Sequence, residues 1–472
     1  MEIALEYKIE RILARVTPQL SSKIVKKLLK NYSLDLASSY ERALINTYSE
    51  DKNLFIIIKL LKCDQSGFIK VNDYELFLLL KEILKVHNNK KIKIFYKEKF
   101  IINFLRNKLL NLAIKIISKL SIENKIPKIK YLFLTPEKKH YKYFKKIFFK
   151  KKYILTYLHD FDFKKILFSS KFHFNKKEIV KENILHNYYL LKKIILLSYK
   201  LRLTFDFLNP DKIICCEGDS PVHSIMAEIS KKKDKSSICL QWGAFVYKKP
   251  KPGFKNLNYK KILVWGNFYK SEFLKINKKS IVSITGTPLI SENNNRAKKD
   301  IVFFLGPISK VSKSEDIFIS ILKWIQINYT SKIILRSHPS DPDSAKRFQE
   351  YITSKKVVIH DSNKFSLNES IKNSIISITV RSSASLEASR CGVIPFIISN
   401  EKNNYENFYE ELKRKEMFLI GDDIRIIKEN LIKIINNDEY RKKLSLKICK
   451  ISTNNIKYTG KKASEKIINE IL

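Results

Sequence analysis

A strand-helix-strand unit between Lys332 and Ile398 constrains the fold more than any other part of the sequence. It begins with an apolar run, Ile333 to Leu335, of the length expected for a strand that is buried on both faces. Further along, the β-branched run Ile375 to Val380 is followed by a short helix, and Val393 to Ile398 starts another strand. Buried strands joined by helices predict a parallel sheet covered by helices, which is an α/β fold.

Polar side chains follow both strands of this unit. Arg336 and His338 come after the first strand, where Pro339 stops strand pairing, and the second strand leads to Arg381-Ser382-Ser383 before a helix that begins near Ala384. The carboxyl ends of parallel strands share one edge of the sheet, which is the usual ligand site of such folds. Cations, hydroxyls and a helix amino terminus at one edge would suit a phosphate or pyrophosphate.

Each of these residues also has a structural interpretation. The two serines could simply cap the helix, and His338 could simply end its strand. Arg336 could be the buried partner of Asp341 or Asp343.

Two further loops carry candidate residues. The first is Glu217-Gly218-Asp219, which follows the apolar strand Lys212 to Cys216. A carboxylate there could accept a proton from a hydroxyl group, and Asp219 is favoured because it lies further into the loop, although it could instead cap the next helix. The second loop contains Gly306 and Ser309, which could approach a phosphate or form an ordinary turn.

The order of these motifs resembles that of bacterial sialyltransferases and polysialyltransferases of the GT-B fold. The motifs are the acidic-Gly cluster at 217–219, the pair His338-Pro339 and the pair Ser382-Ser383. Similar His-Pro and Ser-rich elements occur in capsule Kdo transferases and in glycerophosphotransferases that use CDP-glycerol. The resemblance covers roughly residues 210 to 400 as a set of short motifs, and the acidic cluster differs from the usual acidic-acidic-Gly order.

The resemblance implies a metal-independent GT-B glycosyltransferase that serves capsule or lipopolysaccharide biosynthesis. Its donor would be a nucleotide sugar, CMP-linked rather than UDP-linked and carrying a sialic acid or Kdo-like sugar. The acceptor would be a cell-surface glycan or a lipid-linked precursor. The nucleotide sugar would be a substrate, so no cofactor is expected.

The resemblance also implies roles for individual residues. Asp219 or Glu217 would remove the acceptor proton, and Glu387 resembles the acidic residue that holds a nucleotide ribose in many GT-B enzymes. Donor contacts are further expected from Gly306 and Ser309. The groups expected to stabilise the nucleotide phosphate are Arg336, His338, Ser382 and Ser383.

Other activities are compatible with the same fold, since fold alone does not define chemistry. A CDP-glycerol-type glycerophosphotransferase and a sugar-nucleotide 2-epimerase are the alternative enzymes. The epimerase is disfavoured because Gln241-Trp242-Gly243 stands where several surface-polysaccharide enzymes have Gln-His-Gly. A non-catalytic GT-B-like binding protein is the alternative from another class.

Alternating strand and helix patterns predict two Rossmann-like domains that face a cleft, preceded by helix-period segments. A polar, turn-rich stretch after Gly286 predicts the linker between the domains. The predicted organisation is a helical N-terminal region at 1–125, an acceptor domain at 126–290, a donor domain at 291–450 and a C-terminal helix at 451–472.

The formal net charge is +44, which ordinarily suggests nucleic acid. Here lysines are spread along the whole chain together with many Ile and Asn residues, a pattern typical of A- and T-rich coding sequence, so nucleic-acid binding is disfavoured. Attraction to an anionic membrane or a phosphorylated acceptor is expected instead. The basic aromatic segment HYKYFKKIFFKKK at 140–152 could rest on such a membrane, or its apolar face could pack on a sheet.

The six cysteines show no metal-ligand spacing, and no apolar run is long enough for a spanning helix. The prediction is a cytoplasmic protein with reduced thiols that works at the inner face of the membrane.

Overall fold

The structure is a computed structural model of the chain. It describes residues 2–29, 34–48, 52, 54, 56, 61, 65–97, 109–114, 116–117, 120–122, 129–134, 138–148, 156–158, 172–174, 188–218, 220–241, 243, 258–276, 280–290, 299–306, 313–339, 341–379, 382, 384–398, 419–421 and 423–472.

Helices and strands alternate along most of the described chain. The α-helices are α1 (Glu2–Leu28), α2 (Ala37–Tyr48), α3 (Tyr74–Val86), α4 (Lys138–Ile147), α5 (Tyr189–Leu208), α6 (Pro221–Lys232), α7 (Asn267–Ile276), α8 (Lys313–Asn328), α9 (Leu367–Ile371), α10 (Ala384–Arg390), α11 (Ile424–Asn436), α12 (Asp438–Ser452) and α13 (Gly460–Ile471). A 3₁₀ helix spans Pro342–Tyr351.

The strands are β1 (Gly67–Val71), β2 (Ile92–Tyr96), β3 (Leu120–Ile122), β4 (Tyr131–Leu134), β5 (Thr156–Tyr157), β6 (Phe172–Phe174), β7 (Lys212–Cys216), β8 (Ser236–Leu240), β9 (Lys261–Val264), β10 (Ile281–Ile284), β11 (Asp300–Phe304), β12 (Ile333–Arg336), β13 (Val357–His360), β14 (Ser374–Thr379), β15 (Ile394–Ile398) and β16 (Leu419–Gly421).

The first large sheet has six parallel strands in the order β10-β9-β8-β7-β4-β5. After β4 the chain first adds β5 on one side and then adds β7 on the other. The strand order therefore reverses between β4 and β7, and this switch point is where open parallel sheets bind ligands.

The second large sheet also has six parallel strands, in the order β13-β12-β11-β14-β15-β16. This is the strand order of a Rossmann sheet, and its switch point lies between β11 and β14. The Thr379 hydroxyl donates a hydrogen bond of 3.0 Å to the Phe304 carbonyl and so ties these two strands together at their carboxyl ends.

Both faces of the large sheets are buried, which explains the continuous apolar runs of the strands. In β11, Ile301 and Phe303 pack into one core, whereas Val302 and Phe304 pack into the core on the opposite face. The α/β fold class with two Rossmann-like parallel sheets is thereby confirmed. The predicted domain boundaries stay predictions.

The N-terminal region contains strands as well as helices, so the purely helical prediction was incomplete. Strands β1 and β2 flank α3 and pair in parallel, and β3 pairs with β6. Helices α1 to α3 share one core with the first sheet, to which Leu13, Leu44 and Leu79 contribute beside Leu132 and Ile213. The helical periodicity of this region gave no sign that it would pack on that sheet.

A buried carboxylate joins three helices of this region. Glu75 in α3 accepts hydrogen bonds from the Tyr40 hydroxyl at 2.7 Å and from the Leu190 and Leu191 amides at 2.6 and 3.1 Å. Burial raises the pKa of Glu75 to about 7, while these hydrogen bonds oppose the rise. The carboxylate therefore fastens the start of α5 to α2 and α3.

The end of the chain returns to the first sheet. The Lys457 amide donates to the Trp265 carbonyl at 2.9 Å, and the Thr287 amide donates to the Tyr458 carbonyl at 3.0 Å. Beyond this segment, Ile467 and Ile471 of α13 pack in the core beneath β4. None of the described helices is long and apolar enough to cross a membrane.

Candidate functional site

The carboxyl ends of β12, β11 and β14 bring three predicted residues to one edge of the second sheet. Arg336 is the last residue of β12, Gly306 follows β11 closely, and Ser382 follows β14. Because these strands are neighbours, the sequence prediction that these residues share one edge is consistent with the strand order. Ser309, Arg381 and Ser383 lie outside the described residues.

Arg336 is almost fully buried and binds the loop before α9. Its Nη1 donates to the Phe365 carbonyl at 2.9 Å, the Ser366 carbonyl at 3.2 Å and the Ser370 hydroxyl at 2.9 Å. The predicted pairing with Asp341 or Asp343 was wrong, because these contacts hold the guanidinium elsewhere. Burial lowers the pKa of Arg336 to about 10, and Glu387 opposes this fall.

His360 is a buried residue of this edge that the sequence analysis missed. It ends β13 opposite Arg336, its Nδ1 lies 3.0 Å from the Ser370 hydroxyl, and its ring stacks on Phe365 at 4.2 Å. Burial lowers the pKa of His360 to about 4, with Lys332 and Arg336 adding to the effect. The apolar run Val357 to Ile359 was the signal that could have found this strand.

The backbone of His338 is held firmly beyond β12. Its amide donates to the Ser344 hydroxyl at 2.9 Å, and its carbonyl accepts from the Ser362 hydroxyl at 3.1 Å. The residue is half-buried, and its backbone pairs with that of Asp341 in an isolated antiparallel β-bridge. Its predicted contact with a donor phosphate stays a prediction.

Ser382 caps the helix that follows it. Its hydroxyl oxygen accepts from the Ala384 amide at 3.2 Å, in agreement with the structural interpretation considered above. The Gly306 carbonyl accepts from Arg347 at 3.4 Å, so this loop is tied to the 3₁₀ helix. Neither contact tests the predicted donor-binding roles.

Glu387 is the most unusual group at this edge. It lies in α10, its exposed fraction is 5%, and within the described part of the chain its Oε1 has no hydrogen-bond partner. Burial raises the pKa of Glu387 to about 8, while Arg336 and Lys146 both act to lower it. A buried carboxyl oxygen without a donor costs free energy, unless a ligand supplies the donor.

Lys146, which lies on a helix beside the first sheet, interacts electrostatically with Glu387 of the second. It belongs to α4, which follows β4 at the switch point of the first sheet, and its Nζ lies 3.3 Å from the Leu289 carbonyl. Partial burial lowers the pKa of Lys146, and Glu387 opposes the fall. Glu387 also acts on the pKa of Tyr143, one turn earlier in α4. The electrostatic interaction of Glu387 with Lys146 and Tyr143 indicates that the two carboxyl edges lie near each other.

This geometry bears on the predicted role of the segment at 140–152. Phe144 and Phe148 are fully buried and contact Phe133 edge-on at 4.8 and 5.3 Å. The apolar face of this helix therefore packs in the core, which is the alternative interpretation of the segment, and residues 149–152 lie outside the described residues. Lys145 and Lys146 lie on the exposed side of this helix.

Glu217 sits in a strained turn at the carboxyl end of β7. Its φ is +61°, and that of Gly218 is +71°. The left-handed region is costly for a residue with a side chain, and such strain clusters at functional sites. A Cβ on Gly218 would lie 2.8 Å from Cys239 Sγ, so the turn has no room for a larger residue. Asp219 lies outside the described residues.

Gln241 has a structural role at the end of β8. Its Oε1 accepts from the Trp265 amide at 2.9 Å, and its Nε2 donates to the Gly243 carbonyl at 2.8 Å. These bonds hold the ends of β8 and β9 in register. Trp242 lies outside the described residues, which include no group of three or more His, Cys, Asp or Glu side chains placed to hold a metal ion.

Two Rossmann-like sheets whose carboxyl edges face each other, with the chain end returning to the first sheet, make up the GT-B architecture. No protein-family model matches the sequence, and no curated protein matches it. Solved structures are similar only at low identity. The UDP-GlcNAc 2-epimerase from Neisseria meningitidis bound to UDP-GlcNAc is 15% identical, with 73% of this chain and 99% of that chain covered and a TM-score of 0.46.

Two transferases give similar values. The wall teichoic acid polymerase TagF is 15% identical, with 79% of this chain and 97% of that chain covered and a TM-score of 0.47. The glycotransferase of kitacinnamycin is 10% identical, with 73% and 100% covered and a TM-score of 0.44. At such identities and TM-scores these similarities carry no argument about activity.

Proposed function

We propose that this protein is a glycosyltransferase that moves a sugar from a nucleotide donor to a cell-surface glycan or its lipid-linked precursor. The donor is CMP-linked, with a sialic acid or Kdo-like sugar, and the reaction takes place in the cytoplasm without a metal or a cofactor. The observation that carries this proposal is Glu387, a buried carboxyl whose Oε1 lacks a donor at the facing edges of two Rossmann-like sheets. Ribose hydroxyls are suitable donors for that oxygen.

In this proposal the polar and charged residues around the site have separate roles. Lys146 and His338 neutralise the nucleotide phosphate as it leaves, and Ser382 and Ser383 add hydroxyl donors. Arg336 acts mainly by holding the loop before α9, because its Nη1 is already occupied there. Glu217 or Asp219, on the opposite sheet, removes the proton of the acceptor hydroxyl.

Nucleotide binding tests the proposal without knowledge of the acceptor. CMP, CDP, UDP and GDP are each added to the full chain, and Tm is measured. The best nucleotide at saturation should raise Tm by about 5 °C. The change Glu387→Gln should weaken that nucleotide about tenfold to a hundredfold, because ribose hydroxyls that donate to the carboxyl favour its ionised form, and an amide oxygen is a weaker acceptor than a carboxylate oxygen.

Glu465→Gln is the matched control, since Glu465 is exposed on α13 and forms a surface ion pair with Lys461. This control should keep the full nucleotide shift. A Tm that no nucleotide changes, or an equal shift in wild type and E387Q, would contradict the proposal. If a UDP-sugar binds and is converted to its C2 epimer without an acceptor, the protein is an epimerase instead.

A further inference from the structure

The parallel pair β1 and β2 presents an exposed face with two aromatic rings. Phe68 is 76% exposed and Phe95 is 52% exposed, and the two rings stack with centroids 6.2 Å apart. Ile69 and Ile92, on the opposite face, are buried in the core. Because side chains alternate along a strand, apolar side chains lie on both faces of this pair, although only the face with Ile69 and Ile92 is buried in the core.

Lysine residues complete this exposed face. The strand register sets Phe68 opposite Lys93 and Lys70 opposite Phe95, and both lysines are exposed. The result is a small checkerboard of two rings and two ammonium groups. We call the surface formed by Phe68, Lys70, Lys93 and Phe95 the Phe-Lys face.

A second apolar surface follows in the same region of the chain. Residues 109–114 and 116–117 are helical, and Leu109, Leu112 and Ile116 are 68%, 54% and 49% exposed. Their spacing of three and four residues places them on one side of the helix, whereas Ile114 is buried on another. Single apolar residues are common on protein surfaces, but three on one side of a helix form a contiguous apolar stripe.

The side chains of the two surfaces favour a lipid surface over nucleic acid or protein as the partner. Nucleic-acid bases stack on aromatic rings, but Leu and Ile side chains offer them no such platform. Lysine is depleted at the cores of protein-protein interfaces, so Lys70 and Lys93 beside the rings disfavour a dry protein contact. Apolar side chains surrounded by lysines match a bilayer whose head groups are anionic.

We propose that the N-terminal region binds an anionic lipid surface through the Phe-Lys face, with the stripe of Leu109, Leu112 and Ile116 as a second contact. The rings enter the boundary between head groups and acyl chains, and the two ammonium groups pair with lipid phosphates. This inference goes beyond the proposed function, since lipid binding needs neither nucleotide nor turnover.

Vesicle flotation of the full chain tests the proposal. Wild-type protein should float with vesicles of equal parts phosphatidylcholine and phosphatidylglycerol, less so at high salt and hardly at all with phosphatidylcholine alone. Replacing Phe68 and Phe95 together with Ser should weaken binding about a hundredfold. Replacing Lys70 and Lys93 together with Gln should weaken it on the order of thirtyfold.

Matched controls come from the second half of the chain. Ile327 and Leu446 are 80% and 73% exposed, so replacing both with Ser removes similar apolar surface elsewhere, and Lys442 and Lys443 changed to Gln remove the same charge. Both controls should bind as wild type does, and Tm should be unchanged in every variant.

Three results would overturn the proposal. The first is wild-type protein that does not float with anionic vesicles. The second is equal weakening in the control pairs, which would mean that binding reflects net charge alone. The third is single-stranded oligonucleotide binding that depends on Phe68 and Phe95 while vesicles are not bound, which would assign the Phe-Lys face to nucleic acid.

Discussion

The strain at Glu217 is the clearest sign of function carried by a single residue. Backbone with a φ of +61° suits Gly, yet the chain holds Glu there, followed by Gly218 at +71°. If the Glu217 side chain had no role beyond lying at the surface, replacing it with Gly would stabilise the protein. Its presence at the carboxyl end of β7 is thus best explained by the position that the strained turn gives its carboxylate.

We expect Glu217→Gly to raise the free energy of unfolding by about 0.5 to 1 kcal/mol, because Gly adopts this φ without a steric cost. Glu217→Gln keeps the strained backbone and should leave stability unchanged. Urea unfolding measures both effects. If Glu217 is the base, both variants lose donor turnover while keeping the nucleotide-induced rise in Tm. A destabilised E217G would mean that contacts of the side chain outweigh the strain.

The group of elements at β12, β13 and α9 is held by one small polar network. Arg336 and His360 end adjacent strands, and both contact the Ser370 hydroxyl, which lies in α9. Ser366 caps α9 in a capping box with Glu369, so the helix start is fixed independently. The network therefore holds the loop before α9 at the carboxyl ends of β12 and β13, and it depends on His360 being neutral.

We expect low pH to decrease the free energy of unfolding through His360. The pKa of His360 is about 4 in the folded chain and near 6.5 in the unfolded chain. A lowered folded pKa means that the unfolded state binds the proton first, so stability is lost as pH falls from about 6.5 through about 4. The loss attributable to His360 should be about 2 kcal/mol.

The change His360→Phe tests this expectation, because a phenyl ring can still stack on Phe365 but does not titrate. Urea unfolding is measured at several pH values between these limits for wild type and H360F. Stability of H360F should vary less with pH than that of wild type. Parallel pH curves for the two proteins would show that acid acts elsewhere.

The return of the chain end to the first sheet joins the two halves of the molecule. The segment at 454–460 exchanges backbone hydrogen bonds with Trp265, Phe268, Thr287 and Ile290. At Gly286, where φ is +76°, an added Cβ would overlap the Tyr458 carbonyl oxygen. This close approach of two backbones is possible only because Gly has no side chain.

We expect Gly286→Ala to lower the free energy of unfolding by about 3 kcal/mol or more, through both the clash and the positive φ. Gly243→Ala is the matched control, since a Cβ there would meet nothing within 4 Å. Its effect should stay within about 0.5 kcal/mol. Urea unfolding of the two variants provides the comparison, and equal stabilities would show that the return segment moves aside easily.

Local patterns in the sequence were enough to predict the strands that carry the candidate residues. Strand β7 was predicted at the observed bounds, and the runs Ile333 to Leu335, Ile375 to Val380 and Val393 to Ile398 correspond to β12, β14 and β15. The reason is that a strand buried on both faces needs an apolar run, and this requirement is visible in neighbouring residues alone. The edge strand β13 was missed because it is short and only partly buried.

Partners distant in the sequence could not be predicted in the same way. Arg336 binds carbonyls 29 and 30 residues away, and Glu387 in α10 interacts electrostatically with Lys146 in α4. A lysine on an amphipathic helix has the same local pattern whether it faces solvent, lipid or a carboxylate. The packing of α4 on the first sheet, and the meeting of two carboxyl edges, assign Lys146 to the candidate site. Electrostatic partners follow from distance in space, which periodicity along the chain does not encode.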